Sequence, residues 1–304
     1  MGNEEKKEIN IPVIRDVIRW SKKIKLPGLG SFSLYHLMEI YGTGIVKGSF
    51  SPRASSIAYS FFLALFPFLL LLLNLIPYIP IEGFQTRFLI FMEALLPAQT
   101  TQFFYPIIAD IAVNPRAGLL SVVFILSIIL SANGVNAIFS AFEYSFHSKS
   151  NRSFLRQYAV AMGVSIVLAL LLLTSVGVIL YGEYLIHNLK SRAFIDNDGS
   201  LILFFQFLVF IVMIYSVIAT LYYFGTKEGK SLHFFSIGAV VTTVLFLLMT
   251  YFFGIYMNNF SNYNELYGSI GALLILMLYI WINANLLLLG FELNISIKRL
   301  KEKI

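Results

Sequence analysis

Six long apolar runs constrain this chain more than any other feature. They are Ile57–Ile76, Ala117–Phe142, Gln157–Tyr181, Leu201–Phe224, Phe234–Met257 and Tyr267–Phe291, each with few or no charges inside it. A helix that crosses a bilayer needs about 20 mostly apolar residues. In hydrocarbon every backbone N–H and C=O must find its partner within the protein, so runs of this length fold as helices. Composition agrees: apolar residues make up 58% of the 304 and charged residues 12%, against about 25% charged in a soluble domain. The expected fold class is all-α, an integral membrane protein built as a six-transmembrane-helix bundle.

Basic residues orient the bundle. Nine Lys or Arg precede the first run, and others sit between runs two and three (Lys149, Arg152, Arg156), between four and five (Lys227, Lys230) and after six (Lys298, Arg299, Lys301, Lys303). The alternate segments hold only Arg87, Arg116, Lys190 and Arg192. Cytoplasmic loops carry the excess of Lys and Arg, so both termini are expected in the cytoplasm. The chain has no cysteine, which excludes disulfides, thiolate nucleophiles and Cys-ligated metal sites. The first apolar run begins behind a charged stretch, so no cleavable signal peptide is expected.

Three regions follow. Residues 1–50 read as amphipathic cytoplasmic or interfacial helices, 51–297 as the transmembrane domain and 298–304 as a basic cytoplasmic tail. In the first region Asn10 can cap and Pro12 suits a first helical turn. Arg15, Asp16, Arg19, Lys22 and Lys23 make a charged face, with Ile14, Val17, Ile18 and Ile24 roughly opposite. Such a helix suits a membrane surface or the end of a bundle. A second piece carries Leu34, Leu37, Met38, Tyr41 and Ile45 at helical spacing. Between runs one and two, "GFQTRFLIFMEALLP" reads as an interfacial helix on the outer side.

The signatures of soluble enzymes are missing: no G-x-x-x-x-G-K loop, no dinucleotide fingerprint and no G-x-S-x-G elbow. The four histidines, His36, His147, His187 and His233, show no metal-ligand spacing. The net charge is +6, but its carriers lie at helix ends, which favours anionic lipid headgroups over nucleic acid. What remains is polarity inside the apolar runs, which is costly in lipid and turns toward the bundle interior. Asn133, Asn136, Ser140, Glu143 and His147 recur at spacings of three and four, on one helical face. Val135, Ile138, Phe139, Phe142 and Phe146 take the other face. Arg53, Ser56 and Ser60 open run one, with Pro67 as a helix kink beyond them. Asn285 and Glu292 share a face at the end of run six, with Asn283 and Asn294 nearby. All three sets fall in the cytoplasmic half. Arg53 is therefore expected to pair with Glu143 or Glu292, and the asparagines to complete a polar cluster that is either a substrate path or interhelical glue.

Two stretches carry a family resemblance. "RASSIAYSFFLALFPFLLLL" (Arg53–Leu72) resembles the opening signature of the YihY/BrkB family of bacterial inner-membrane proteins through Ala54, Ala58, Tyr59, Leu65, Phe66 and Pro67, with Ala64 where the family usually has Ser. "YGSIGALLILMLYIWINANLLLLGFELN" (Tyr267–Asn294) resembles its closing signature through Tyr267, Gly268, Ser269, Gly271, Ala272, Gly290, Glu292, Leu293 and Asn294. The similarity covers roughly residues 30–297. It implies six helices with both termini inside, and an inner-membrane role in moving a lipid or lipopolysaccharide precursor. Some members have carried a ribonuclease label, which neither an acidic metal cluster nor a basic, aromatic-lined groove supports here. The expectation is a transporter or flippase-like protein for an amphipathic envelope component, not an enzyme, with no cofactor, no metal and no nucleic-acid partner. The alternative is a non-transporting scaffold of the cell envelope. Membrane lipids, with anionic headgroups at the inner leaflet, are the expected partners.

Overall fold

The computed structural model describes residues 21, 33–75, 83–95, 106, 120–145, 152–191, 198–227, 234–259 and 269–302. The expected helix around Asn10, Pro12 and Arg15 lies outside the described residues, as do Phe146, His147, Tyr267 and Gly268. The helices are α1 (Leu34–Lys47), α2 (Phe50–Leu75), α3 (Phe84–Leu95), α4 (Leu120–Glu143), α5 (Phe154–Ser191), α6 (Asp198–Gly225), α7 (Ile237–Asn259) and α8 (Ser269–Lys301). The protein is an all-α membrane protein. Among the described residues, five stretches are long and apolar enough to cross a membrane: Ile125–Glu143, Phe154–Asn188, Gly199–Gly225, Ile237–Met257 and Leu273–Lys301. The first apolar run lies on α2, which continues through Pro67 to Leu75 without a break in the helix.

Helix ends follow local chemistry more than hydropathy. α5 passes the expected end at Tyr181 and α8 passes Phe291. No proline interrupts either continuation, so the helix persists after the apolar run stops. Lys298, Arg299 and Lys301 occupy the last turn of α8, where cations meet the negative end of the helix dipole. At the other end of the chain, Ser33 sits in extended backbone at the N-cap of α1, and its N–H donates to His36 Nδ1 at 3.3 Å. α1 stops at Gly48, and Ser49 adopts a left-handed φ of 47° that swings the chain into α2.

The long helices pack in sequence order, with the short α3 set apart. α2 lies against α4, α4 against α5, α5 against α6, α6 against α7 and α7 against α8, and α8 returns to α2 to close a ring. Small residues allow the closest approaches. A Cβ on Gly134 would strike Ala64 across the α2–α4 contact, and one on Gly290 would strike Thr242 across α7–α8. α3 docks on α5 from outside the ring. There, Arg87 Nη2 lies 3.2 Å from Glu183 Oε2, and Gln206 Nε2 of α6 donates to Glu183 Oε1 at 2.7 Å.

The tightest core sits at the end of the ring where α4 stops and α5 begins. Phe142, Tyr222 and Phe291, from α4, α6 and α8, are 0%, 1% and 0% exposed. Phe142 stacks on Phe291 at 4.1 Å between centroids, and Tyr222 meets both rings at 5.7 and 5.8 Å. The Tyr222 hydroxyl, buried among them, donates to Leu287 O at 2.7 Å and lies 2.7 Å from Thr242 Oγ1, as a buried phenol requires. Toward its own start α6 is less covered: among its described side chains it has no buried residue before Met213.

Candidate functional site

Arg53 and Glu292 are electrostatic neighbours where α1, α2, α4 and α8 converge. The route to Arg53 begins at the Gly48–Ser49 corner. A helix leaves its last four carbonyls without intrahelical partners, and two helices end here. Arg53 Nε donates to Ala141 O, in the last turn of α4, at 2.8 Å. Its Nη1 donates to Gly48 O, at the end of α1, at 3.0 Å. The guanidinium carbon stands 5.7 Å from the Phe50 ring centre. Arg53 is only 7% exposed, and its Nη2 is buried with no hydrogen-bond partner.

Glu292 is wholly buried. Ser145, just past α4, donates Oγ to Glu292 Oε2 at 2.6 Å. Gly44 of α1 lies so close that a Cβ there would strike Glu292 Oε1. Absence of a side chain at Gly44 is what lets α1 cross over the carboxylate. Glu292 also acts through space. Burial lowers the pKa of Arg53 and Glu292 opposes that shift; burial raises the pKa of Tyr41 and Glu292 raises it further. Of the two carboxylates expected as partners of Arg53, Glu292 is its electrostatic neighbour. The guanidinium nonetheless bonds carbonyls and not the carboxylate, because two helix ends present those carbonyls at the same point.

Glu143 belongs elsewhere. It accepts the Arg152 backbone N–H at Oε1, 3.0 Å, on the approach to α5. Gln157 Nε2 donates to Asn136 Oδ1 at 3.0 Å and to Ser140 Oγ at 2.8 Å. Tyr158 Oη donates to Asn133 Oδ1 at 3.0 Å and to Ile129 O at 2.6 Å. The polar face of α4 is therefore a ladder of bonds to α5. The cluster expected from the sequence divides, with Asn133, Asn136 and Glu143 on the α5 side and Arg53 with Glu292 on the other, while Ser140 accepts from Gln157 and also borders the cleft beside Arg53. Asn285 joins neither, since its Nδ2 donates back to Trp281 O in its own helix at 2.8 Å. Asn283 does the same toward Tyr279 O, and its Oδ1 is buried without a partner. Asn294 caps α7: Gly238 N–H donates to its Oδ1 at 2.7 Å, and its Nδ2 donates to Ser236 Oγ at 2.9 Å.

A cleft of about 390 Å³ opens beside Arg53, between the start of α2 and the end of α4. Gly48, Ser49, Pro52, Arg53 and Ser56 line one wall, and Ala137, Ser140, Ala141 and Tyr144 the other. Ser56 is exposed at its rim, while Ser60 is half-buried one turn further along α2. Among the described residues no group of three His, Asp or Glu could hold a metal ion.

Several residues that build this region were missed from sequence. Arg152 counted only as loop charge, yet its Nη1 and Nη2 donate to Phe224 O and Thr226 O, closing the end of α6 at 2.6 and 2.7 Å. Burial lowers its pKa, Glu143 opposes that and Arg156 adds to it. Gln157 and Tyr158 were covered by the edge of an apolar run. Glu183, 7% exposed, fell just past the expected end of run three. Its one sequence signal was the opposite charge of Arg87 in the segment between runs one and two.

Residues 44–303 match the protein family described as "Virulence factor BrkB". The ribonuclease-like protein YfkH of Bacillus subtilis (strain 168) is 27% identical over 256 residues, covering 82% of this chain and 90% of that one. The UPF0761 membrane protein PsycPRwf_0630 of Psychrobacter sp. (strain PRwf-1) is 39% identical over 77 residues, 25% of this chain and 14% of that one. No solved structure matches the chain.

Proposed function

Because this chain belongs to the virulence factor BrkB family, we propose that it is an inner-membrane transporter of the flippase type. Its substrate is an amphipathic envelope component, a lipid or a lipopolysaccharide precursor. In this reading six helices span the bacterial inner membrane, the first on α2, with both termini and the Arg53–Glu292 region at the cytoplasmic face. The distribution of Lys and Arg supports that orientation.

The observation that carries the proposal is the wholly buried Glu292 beside the buried Arg53, next to a cleft that opens at the edge of the bundle. Burying a charge costs several kcal/mol, by order of magnitude, even when it is paired. An apolar pair would hold α2, α4 and α8 together at lower cost. Ionisable groups at membrane depth mark substrate and ion pathways for that reason. The scaffold reading draws on a different observation, the use of Asn133, Asn136, Ser140 and Glu143 to hold α5. The ribonuclease-like name of the Bacillus relative is said of that protein, and no observation here favours nuclease chemistry.

A liposome assay tests the two readings. The purified protein is reconstituted with fluorescent lipid, and scrambling is compared for wild type, Glu292→Gln and Glu143→Gln. Transport through the Arg53–Glu292 region predicts activity in the wild type and in Glu143→Gln, with loss in Glu292→Gln. Background signal from all three, in protein that remains folded, sinks lipid transport and leaves the scaffold.

A further inference from the structure

We infer that the cleft beside Arg53 binds a phosphoryl group, and that the phosphoryl group it takes is the headgroup of an anionic phospholipid. The inference names the ligand of the site on which the transport reading rests, and binding is measured separately from transport so that either can fail alone.

Three independent features converge on an anion. The first is the orphaned donor: Arg53 lines the cleft and its Nη2 is buried without a partner, while Nε and Nη1 are held by carbonyls. An unsatisfied charged N–H is unfavourable by an amount that a phosphate oxygen would relieve, in the short charge-assisted geometry that guanidinium favours. The second is the wall itself, which is the start of α2. Ser49, Pro52, Arg53 and Ser56 line it; Pro52 has no N–H and the Arg53 N–H goes to Ser49 O, so what this wall offers an anion is the positive end of the helix dipole. The third is the hydroxyls of Ser49, Ser56, Ser140 and Tyr144 in the lining, which can donate to phosphate oxygens. Glu292, the carboxylate that couples to Arg53, does not line the cleft. It acts on the guanidinium through space, without bonding it, and so leaves Nη2 without a partner.

The apolar surroundings select a lipid over free phosphate. Along α2 from Ser56, Tyr59 and Leu63 follow at helical spacing and are 61% and 54% exposed. Across the gap, Leu130 and Leu126 of α4 are 39% and 50% exposed. A headgroup seated beside Arg53 would lay its acyl chains along these side chains into the bilayer. The volume of about 390 Å³ suits a headgroup and not a whole lipid.

The test uses the full-length protein in nanodiscs of equal phosphatidylglycerol and phosphatidylcholine, with retained lipid read by native mass spectrometry. Wild type is expected to retain phosphatidylglycerol preferentially. Ser56→Phe, which fills the cleft from an exposed position, should lower that retention about tenfold, the change expected for one charge-assisted hydrogen bond. Arg53→Lys should lower it less, since the charge stays and the fork is lost. A parallel arm in detergent offers inorganic phosphate and reads thermal stability. Stabilisation by phosphate without lipid preference would keep the phosphoryl site and overturn the lipid assignment. Equal retention of both lipids by wild type, with no response to phosphate, overturns the inference. Should Arg53→Lys fail to fold, Ser56→Phe decides. Should scrambling be absent while phosphatidylglycerol is still retained, the transport reading falls and the site stands.

Discussion

Ser145 Oγ donates to Glu292 Oε2 at 2.6 Å across 147 positions of sequence. The bond fastens the end of α4 to α8 and gives a wholly buried carboxylate one of the donors it needs. Removing that donor leaves the charge less satisfied, which costs about 1–3 kcal/mol. Ser145→Ala is expected to lower the thermal unfolding midpoint in detergent. Glu292→Gln, which keeps an acceptor, should fall less than Glu292→Ala. A Ser145→Ala protein that unfolds with the wild type would show that the bond carries no stability.

The α4–α5 ladder predicts a different pattern. Gln157 is 6% exposed and serves two side chains of α4. Interhelical hydrogen bonds in membranes are worth about 0.6–1.7 kcal/mol each. Gln157→Leu should therefore reduce stability by about 1–3 kcal/mol, read as a lower unfolding midpoint in detergent. An unchanged midpoint in Gln157→Leu would remove the ladder from the stability of the bundle.

Arg152 makes a stronger anchor than its place in a loop suggests. It satisfies two carbonyls at the end of α6 while its backbone N–H meets Glu143. Arg152→Gln is expected to cost about 1–3 kcal/mol, since hydrogen bonds to a charged group are lost near the buried Thr226. Hydrogen exchange should rise selectively in the last turn of α6. Uniform exchange across the bundle would argue against a local cap.

Gly290 meets Gly238 and Thr242 where α7 and α8 touch. A methyl group at Gly290 would strike Thr242 Oγ1, the Tyr222 hydroxyl and the Gly238 carbonyl. Overpacking of this kind costs about 1–3 kcal/mol. Gly290→Ala should destabilise clearly, whereas Gly177→Ala, with open space around it, should not. Equal behaviour of the two would sink the close-packing argument.

Tyr41 gives a pH dependence. Its folded pKa lies above the ordinary 10.0, through burial first and the Glu292 charge second. The folded protein thus holds the phenolic proton more tightly than the unfolded chain does. The contribution to stability is fully present below about pH 10 and declines as pH rises through the folded value. Unfolding midpoints measured from pH 9 upward should fall less steeply in Tyr41→Phe than in wild type. Parallel curves would rule out Tyr41 as a contributor.

The apolar runs made the helices legible, because hydrocarbon leaves the backbone no other solution at that length. Their ends were not legible, since Glu183 and Lys298 ride on helices that continue beyond the run. Periodicity found both faces of α4: Val135, Ile138, Phe139 and Phe142 are buried as expected. It could not say which helix would meet the polar face, because that depends on the order of helices around the ring. Arg53 and Glu292 were brought together by depth alone. Their partners are two helix-end carbonyls, Ser145 and Gly44, and these follow from the corner at Gly48–Ser49, which no residue pattern announces.

The ring order also bears on how the protein is made. Long helices that follow one another in sequence also touch, so each new long helix leaving the insertion machinery can lean on the one before it. α3 waits for α5, and the closure of α8 against α2 waits for the last helix. Arg53 is synthesised early and must sit without Glu292 and Ala141 until α4 and α8 arrive. The same buried cluster would then act during biogenesis as a clasp, fastening only when the whole circuit of helices is present.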